Sequence, residues 1–404
     1  MSLDAAALKH RFPALNREGT PFCYLDSAAT THKPDCVLDL LDDFNRRRYA
    51  TIHRGVYRLS EEATLAYEGV RKIVADHIGA SSEREIVFTK GTTESINLVA
   101  SSFGRRYLKE GDEVVVSALE HHSNIVPWQM ACEEKGAKLR VIPMNDAGEL
   151  DLEAYTGLLS AKTRLVAVNH VSNALGTINP VRKICAMARE VRALSLVDGA
   201  QSTAHLPIDV RAIGCDFYAF SGHKVYGPTG VGILYGRYAV LEKLPPYQGG
   251  GDMIESVSFE GTRYLPPPQR FEAGTPPIAE VIGLGRALAF LKETGLAAIE
   301  AQELELLAYG TRRLAEVEGL RLVGTAREKA GILSFVMDRA HPHDIASILA
   351  GEGVCIRAGH HCAQPVMDRL GIPATARASL ALYNTHEDID TLVRALEQVN
   401  KVFS

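Results

Sequence analysis

Phe217-Tyr-Ala-Phe-Ser-Gly-His-Lys-Val-Tyr-Gly-Pro-Thr-Gly230 runs from an apolar strand straight into a polar turn punctuated by glycine. Its first half is short and aromatic-rich, as expected of a strand buried on both faces of a parallel sheet. Its second half sets Ser221, His223 and Lys224 at the strand's carboxyl end. A lysine there is costly unless it is neutralised, paired or used covalently. An isolated lysine in a glycine-rich turn is ordinarily a surface residue, so the surroundings decide its meaning.

The same texture extends in both directions. Short runs rich in Val, Ile and Phe recur at 85–89, 113–117, 138–142, 165–169, 195–197, 217–220 and 232–235, with helical stretches such as 93–108, 125–135 and 181–192 between them. That alternation predicts an α/β fold with a mostly parallel seven-stranded sheet over residues 21–292. From 245 to 277 the chain holds seven of its 18 prolines and five glycines, which predicts a long irregular segment. Helices follow over 278–293 and 296–318, parted by Thr294-Gly295, and then strands near 332–337 and 377–381. The expected division is a large domain (21–292) and a smaller α/β C-terminal domain (293–404), to which the N-terminal segment 1–20 is added.

Composition narrows the class. At 404 residues, 46% hydrophobic and 23% charged, the chain has an ordinary globular balance and ample apolar material for a large core. Its net charge of −5 argues against nucleic acid as the main partner. No stretch reaches the roughly 20 apolar residues of a membrane span, and Asp4 and Pro13 do not suit a signal peptide. The seven cysteines (23, 36, 132, 185, 215, 355, 362) are scattered without a CxxC pair, so neither zinc nor a disulfide framework is expected, and a reducing cytoplasm is. Arg46-Arg47-Arg48 reads as a solvated helix face.

Around Lys224, other strand ends supply complementary chemistry. Leu196-Val-Asp198-Gly-Ala-Gln201 places a carboxylate at a strand tip. It is either an N-cap or a buried anion that keeps a heteroaromatic nitrogen protonated. A Schiff-base lysine with such an aspartate is the mark of pyridoxal phosphate (PLP) enzymes. Phe88-Thr-Lys-Gly91-Thr92-Thr93 leads from strand to helix and suits a phosphate, with Ser221 and His223 adding donors. In Glu120-His121-His122-Ser-Asn124 a histidine is placed to stack on the cofactor ring. Ile356-Arg357-Ala-Gly-His360-His361-Cys362 offers a thiol flanked by histidines, which can lower a thiol pKa from about 8.5 toward neutrality. Arg377 lies inside an apolar run, so it needs a carboxylate partner, either a substrate's or a structural one.

The ordered set resembles the cysteine desulfurases of the fold-type I PLP family, aminotransferase class V. The resemblance is nearest to the SUF-type, SufS-like group. It runs through Tyr24-Leu-Asp-Ser-Ala-Ala-Thr-Thr-His-Lys-Pro34, His53-Arg-Gly55, Gly91-Thr-Thr-Glu94, His121-His-Ser-Asn124, Asp198-Gly-Ala-Gln201, Ser221-Gly-His-Lys224, Phe271-Glu-Ala-Gly-Thr-Pro276, Arg357 to Pro365 and Arg377-Ala-Ser-Leu380. Gly-His-His-Cys and a short cysteine loop point to the SUF-type branch. Gln248 stands before Gly249-Gly-Gly251 where some relatives carry a carboxylate.

The resemblance implies that Lys224 holds PLP, Asp198 pairs the pyridinium nitrogen, Gln201 contacts the ring oxygen and His121 stacks on the ring. It assigns the phosphate to Thr92, Thr93, Ser221 and His223, with Thr275 reaching in from a second subunit of a homodimer. Asn173 and Arg377 would grip the substrate carboxylate, Arg357 would bind substrate, and His53 and Arg54 would line the pocket. L-cysteine would become L-alanine with a persulfide on Cys362, passed to a SufE-like or SufU-like acceptor for iron–sulfur cluster assembly. His341-Pro-His343-Asp344 resembles relatives with a zinc-containing acceptor, or is a helix N-terminus. Rival readings are a selenocysteine lyase, a PLP aminotransferase or epimerase of the same fold, and a non-catalytic module binding sulfur-assembly proteins. Lys224, Asp198 and Cys362 together argue against the last.

Overall fold

The computed structural model describes residues 3–16 and 22–404; residues 1–2 and 17–21, including the expected boundary at 21, lie outside the described residues. A short strand β1 (Cys23–Tyr24) precedes the seven that build the central sheet. These are β2 (Ile86–Thr89), β3 (Glu113–Ser117), β4 (Lys138–Ile142), β5 (Thr163–Asn169), β6 (Leu194–Asp198), β7 (Phe217–Ser221) and β8 (Gly232–Gly236). Their order is β2-β8-β7-β6-β5-β3-β4. Strands β3 to β7 pair in parallel, and β8 runs antiparallel to both β7 and β2. The sheet is therefore mostly parallel with one reversed strand.

Alternation along each strand feeds both faces. Val115, Val166 and Phe220 join the core on one side, while Val114, Leu165 and Phe217 join the core containing Trp128 on the other. Burial of each such side chain contributes about 1.5–3 kcal/mol. Strand β4 departs from the expectation of strands buried on both faces: Lys138, Arg140 and Val141 are exposed. It lies at the sheet's edge, where charged side chains discourage further pairing. There Arg140 Nη2 pairs with Glu113 at 2.8 Å.

Register aligns the strand ends. Asn169 faces Asp198, which faces Ala219, while Ser221 faces Gly232, which faces Thr89. Glycine is required at 232, because a Cβ there would lie 2.3 Å from Gly91 Cα, in the turn that opens the helix Thr92–Tyr107.

Residues 245–277 are less irregular than expected. An exposed antiparallel hairpin, β9 (Ile254–Val257) and β10 (Thr262–Tyr264), stands within them. Its two strands are too short and too exposed to give an alternating apolar signal. Beyond it, the helices Ile278–Thr294 and Leu296–Ala315 lead to a second sheet. That sheet comprises β11 (Leu320–Val323), β12 (Ile332–Met337), β14 (Arg357–Gly359) and β15 (Thr375–Ser379), in the antiparallel order β11-β12-β15-β14.

The small strand β13 (Val354–Cys355) pairs in parallel with β1, so the chain just after residue 22 is hydrogen-bonded to the C-terminal region. The preceding segment touches both parts: Lys9 Nζ meets Asp388 at 2.8 Å, and the Phe12 ring packs edge-on against Phe290 and Tyr383. His341 opens the helix Pro342–Gly351 as its N-cap, with Asp344 in the first turn. Arg46, Arg47 and Arg48 are exposed and paired with Asp42 and Asp43. Among the described residues, no helix is long and apolar enough to cross a membrane.

Candidate active site

The aligned strand ends face a cavity of about 200 Å³ that also receives groups from the C-terminal sheet. Lys224 enters it from the single helical turn Gly222–Lys224 that follows β7. Burial pushes its ammonium down to about 8; Arg377 and Arg357 push the same way, and Asp198 opposes them. At pH 7 about a tenth of this amine is neutral, far more than of an ordinary lysine, which makes it usable as a nucleophile or base.

Asp198 ends β6 and is buried. Its Oδ1 accepts from Ala200 N at 2.9 Å, and burial raises its pKa against the opposing charge of Lys224. Such a carboxylate suits a cationic ring nitrogen brought by a ligand. Gln201 Nε2 donates to Ala28 O at 2.7 Å and holds the 24–34 segment against the site.

At the other end of the cavity the hydroxyls gather. Ser221 Oγ accepts from Thr92 N at 2.8 Å and lies 2.7 Å from Thr92 Oγ1. Thr93 Oγ1 meets Ser123 Oγ at 2.8 Å, and His223 Nδ1 meets Thr30 Oγ1 at 3.2 Å. They surround the start of a 16-residue helix, whose free amides and positive dipole end favour a dianion.

His121 lies between these ends. Its Nδ1 accepts from Ser123 N at 3.1 Å, and burial, reinforced by Lys224, pushes its pKa down to about 3. The ring is therefore neutral and able to stack. Beneath it, Glu120 is fully buried and accepts from Ser117 Oγ, Asn169 N and Asn124 Nδ2. Burial raises its pKa to about 8.

The cysteine loop leaves β14 through two consecutive left-handed residues, His361 and Cys362, both at φ 55°. Non-glycine residues adopt this geometry only under local restraint. Asn173 Nδ2 donates to His361 O at 2.6 Å, and the buried His361 ring bonds Thr375 Oγ1 at 2.8 Å. Of the two histidines before Cys362, His361 supplies no positive charge: burial, with Arg377 nearby, lowers its pKa and keeps it neutral. The cation beside the sulfur is Arg357, whose Nη2 lies 3.7 Å from Cys362 Sγ.

Arg377 in β15 has the structural carboxylate partner, and one of its nitrogens is left over. Nη2 pairs with Asp26 at 3.1 Å and Nη1 donates to Asn173 O at 2.8 Å, but its buried Nε has no partner. Asn173 Oδ1 and His361 Nδ1 are also buried without partners. Three unsatisfied polar atoms around one cavity call for a polar ligand. A buried amine, a carboxylate lacking a cation, a neutral ring and an anion cradle fit PLP with an amino-acid carboxylate beside it.

Three expected residues lie elsewhere in the chain. His53 Nε2 bonds Glu68 at 2.9 Å, Arg54 pairs with Asp252 at 3.2 Å, and Thr275 is exposed. They share one region: Glu68 binds Arg71, Arg71 binds Glu272, and Gly274 N donates to Gly251 O. Asp26, Asn169 and Glu120 were not singled out from sequence, although each is a polar residue at the end of an apolar run.

The aminotransferase class-V family model matches residues 23–392. A probable cysteine desulfurase of Halalkalibacterium halodurans is 50% identical over 99% of both chains, and a cysteine desulfurase of Serratia proteamaculans is 49% identical over the full length of both. Among solved structures, the cysteine desulfurase CsdA of Escherichia coli, in an S-sulfonic acid form, superposes with a TM-score of 0.94 at 38% identity over all of both chains. The apo cysteine desulfurase of Thermococcus onnurineus gives 0.95 at 41% identity, over 100% of this chain and 99% of that one. The chain belongs to the aminotransferase class-V family, among its pyridoxal-phosphate-dependent cysteine desulfurases.

Proposed function

We propose that this protein takes sulfur from L-cysteine, releases L-alanine and holds the sulfur as a persulfide on Cys362. The observation that carries this reading is the convergence of Lys224, Asp198 and Arg377 on one cavity, with the Cys362 sulfur 3.7 Å from the guanidinium of Arg357, which also lines it. Bound PLP supplies the electron sink for bond changes at the substrate's Cα and Cβ. Lys224, Asp198, Gln201 and His121 would hold its ring, and Thr92, Thr93, Ser221 and His223 would hold its phosphate. Arg377 Nε, Arg357 and Asn173 orient the substrate carboxylate. Neutral Lys224 Nζ accepts the proton from the substrate's Cα and can return one to carbon.

Cys362 Sγ attacks the substrate sulfur, so an S–S bond forms as the S–Cβ bond breaks. One cysteine and one enzyme thiol give one alanine and one persulfide, with no outside oxidant or reductant. Arg357 Nη2, 3.7 Å from Cys362 Sγ, fixes where that sulfur stands beside the cavity.

The working unit in this reading is a homodimer with a large domain ending near residue 292 and a small one beyond it. Val56, Tyr57, Leu65, Val257 and Phe259 are exposed apolar side chains near the region of Arg54 and Thr275, the kind of surface a second copy covers. Covering it would bring His53, Arg54 and Thr275 to the partner's cavity. The persulfide then passes to a SufE-like or SufU-like acceptor protein, in the cytoplasm, for iron–sulfur cluster assembly.

Alanine release from L-cysteine, with and without a thiol reductant, tests the reading. Turnover that rises with reductant and disappears in Cys362→Ala, while the cofactor's visible absorbance is kept, supports it. Wild-type turnover by Cys362→Ala, or turnover confined to selenocysteine or to amino transfer, overturns it.

A further inference from the structure

The two adjacent histidines of Glu120-His121-His122 serve different parts of the site. His121 faces the cofactor cavity, whereas His122 faces the cysteine loop. His122 N donates to Cys362 O at 2.7 Å, and His122 Nε2 accepts from Gln364 N at 3.1 Å. One residue thus grips the chain on both sides of Ala363, the residue after the thiol. That grip falls where restraint is needed, because His361 and Cys362 both occupy the left-handed region. His361 has its own anchors in Asn173 and Thr375. On the Cys362 side, the main-chain bonds to the large sheet's loops come from His122.

We propose that His122 is a positioning residue for the Cys362 thiol, acting as a clasp between the loop after β3 and the cysteine loop after β14. The proposal rests on the desulfurase reading and adds a residue to it. The side chain must present an acceptor at Nε2, because the group it meets is a main-chain N–H. Losing that acceptor leaves the turn free to relax away from left-handed geometry, and the thiol moves with it. The cofactor's surroundings are untouched, because His122 does not line their cavity.

The test compares His122→Gln, His122→Phe and His122→Ala in the cofactor-loaded enzyme. Glutamine reaches about as far as Nε2 and offers an amide oxygen, whereas phenylalanine keeps the ring and offers no acceptor. Three readouts are taken: hydrogen exchange across residues 360–366, alkylation of Cys362 by iodoacetamide, and kcat and KM for alanine release. Expected are faster exchange and altered alkylation in the Phe and Ala variants, with kcat lower on the order of tenfold, the loss of one main-chain hydrogen bond. KM and the cofactor's visible absorbance stay at wild-type values, and Gln restores most of the loss. Rescue by Phe but not Gln means a space-filling role and overturns the proposal, as do wild-type exchange and kcat in His122→Ala. If the wild type releases no alanine, the desulfurase reading fails, while exchange and alkylation still decide the clasp.

Discussion

Replacing Arg377 by lysine separates its two tasks. The guanidinium donates to Asp26 and to Asn173 O through its two terminal nitrogens, and its Nε is left for a ligand. A lysine keeps the charge, but one ammonium cannot span both protein partners and a carboxylate. Losing one charge-assisted hydrogen bond at this buried position costs about 2 kcal/mol, which for a chain of 404 residues is a fall in Tm of roughly 2 °C. Losing the planar grip on the substrate carboxylate costs a further ~2–3 kcal/mol, or about 30- to 150-fold in kcat/KM, expressed as a higher KM for L-cysteine. The assay is alanine release across cysteine concentrations beside a thermal melt, with Asp26→Asn as the control. The asparagine still accepts from Nη2, so that variant should lose stability while its KM stays within a few-fold of wild type. An Arg377→Lys enzyme with a lowered Tm and an unchanged KM would refute the reasoning, leaving Arg377 as a structural tie alone.

Three further outcomes are expected. Lys224→Ala should lose the visible absorbance of covalently held cofactor and all alanine release; a variant with wild-type absorbance removes Lys224 from its role. In the cofactor-free protein, the unfolded chain keeps the Lys224 proton up to about 10.5 while the folded chain gives it up near about 8. Stability from this group therefore rises with pH between those values, and the penalty of up to about 3 kcal/mol is complete below the lower one. The Tm of Lys224→Met minus that of wild type should thus be largest below pH 8 and shrink toward pH 10.5; a gap that does not change with pH contradicts the burial argument. Glu120→Ala strands the Ser117, Asn124 and Asn169 donors, at about 1 kcal/mol each, and should lower Tm by several degrees. A melt identical to wild type would show that Glu120 holds nothing in place.

The central sheet could be read from sequence because its strands are short, apolar and buried, and because ligand-binding groups in such sheets stand just past the strand ends. Thr92, His121, Asp198, Ser221 and Lys224 all obey that rule, and their motifs are local. The reversal of β8 leaves no such trace, since a strand buried on both faces has the same composition in either direction. Strand β4 does not show itself as an edge, because Val141 and Ile142 look like core and its position depends on strand order. Arg377 and Asn173 touch across 204 residues, so spacing could not join them, and only resemblance brought them together. The same resemblance supplied His53, Arg54 and Thr275, whose cluster away from this chain's own cavity no local motif announces.

The thread from β1 to the Lys224 turn bears on how the enzyme is made. Leu25 N bonds Cys355 O, Ser379 N bonds Leu25 O, Asp26 pairs with Arg377, and Thr31 N bonds His223 O. Residues 25–26 are therefore stitched to residues 355–379, which follow them by more than 300 positions. A nascent chain can close its central sheet and shape the lysine pocket long before Cys355, Cys362 and Arg377 exist. The sulfur-handling half of the site is thus made after the cofactor half, and a product stopped between Lys224 and Cys362 carries a cofactor cradle without that thiol.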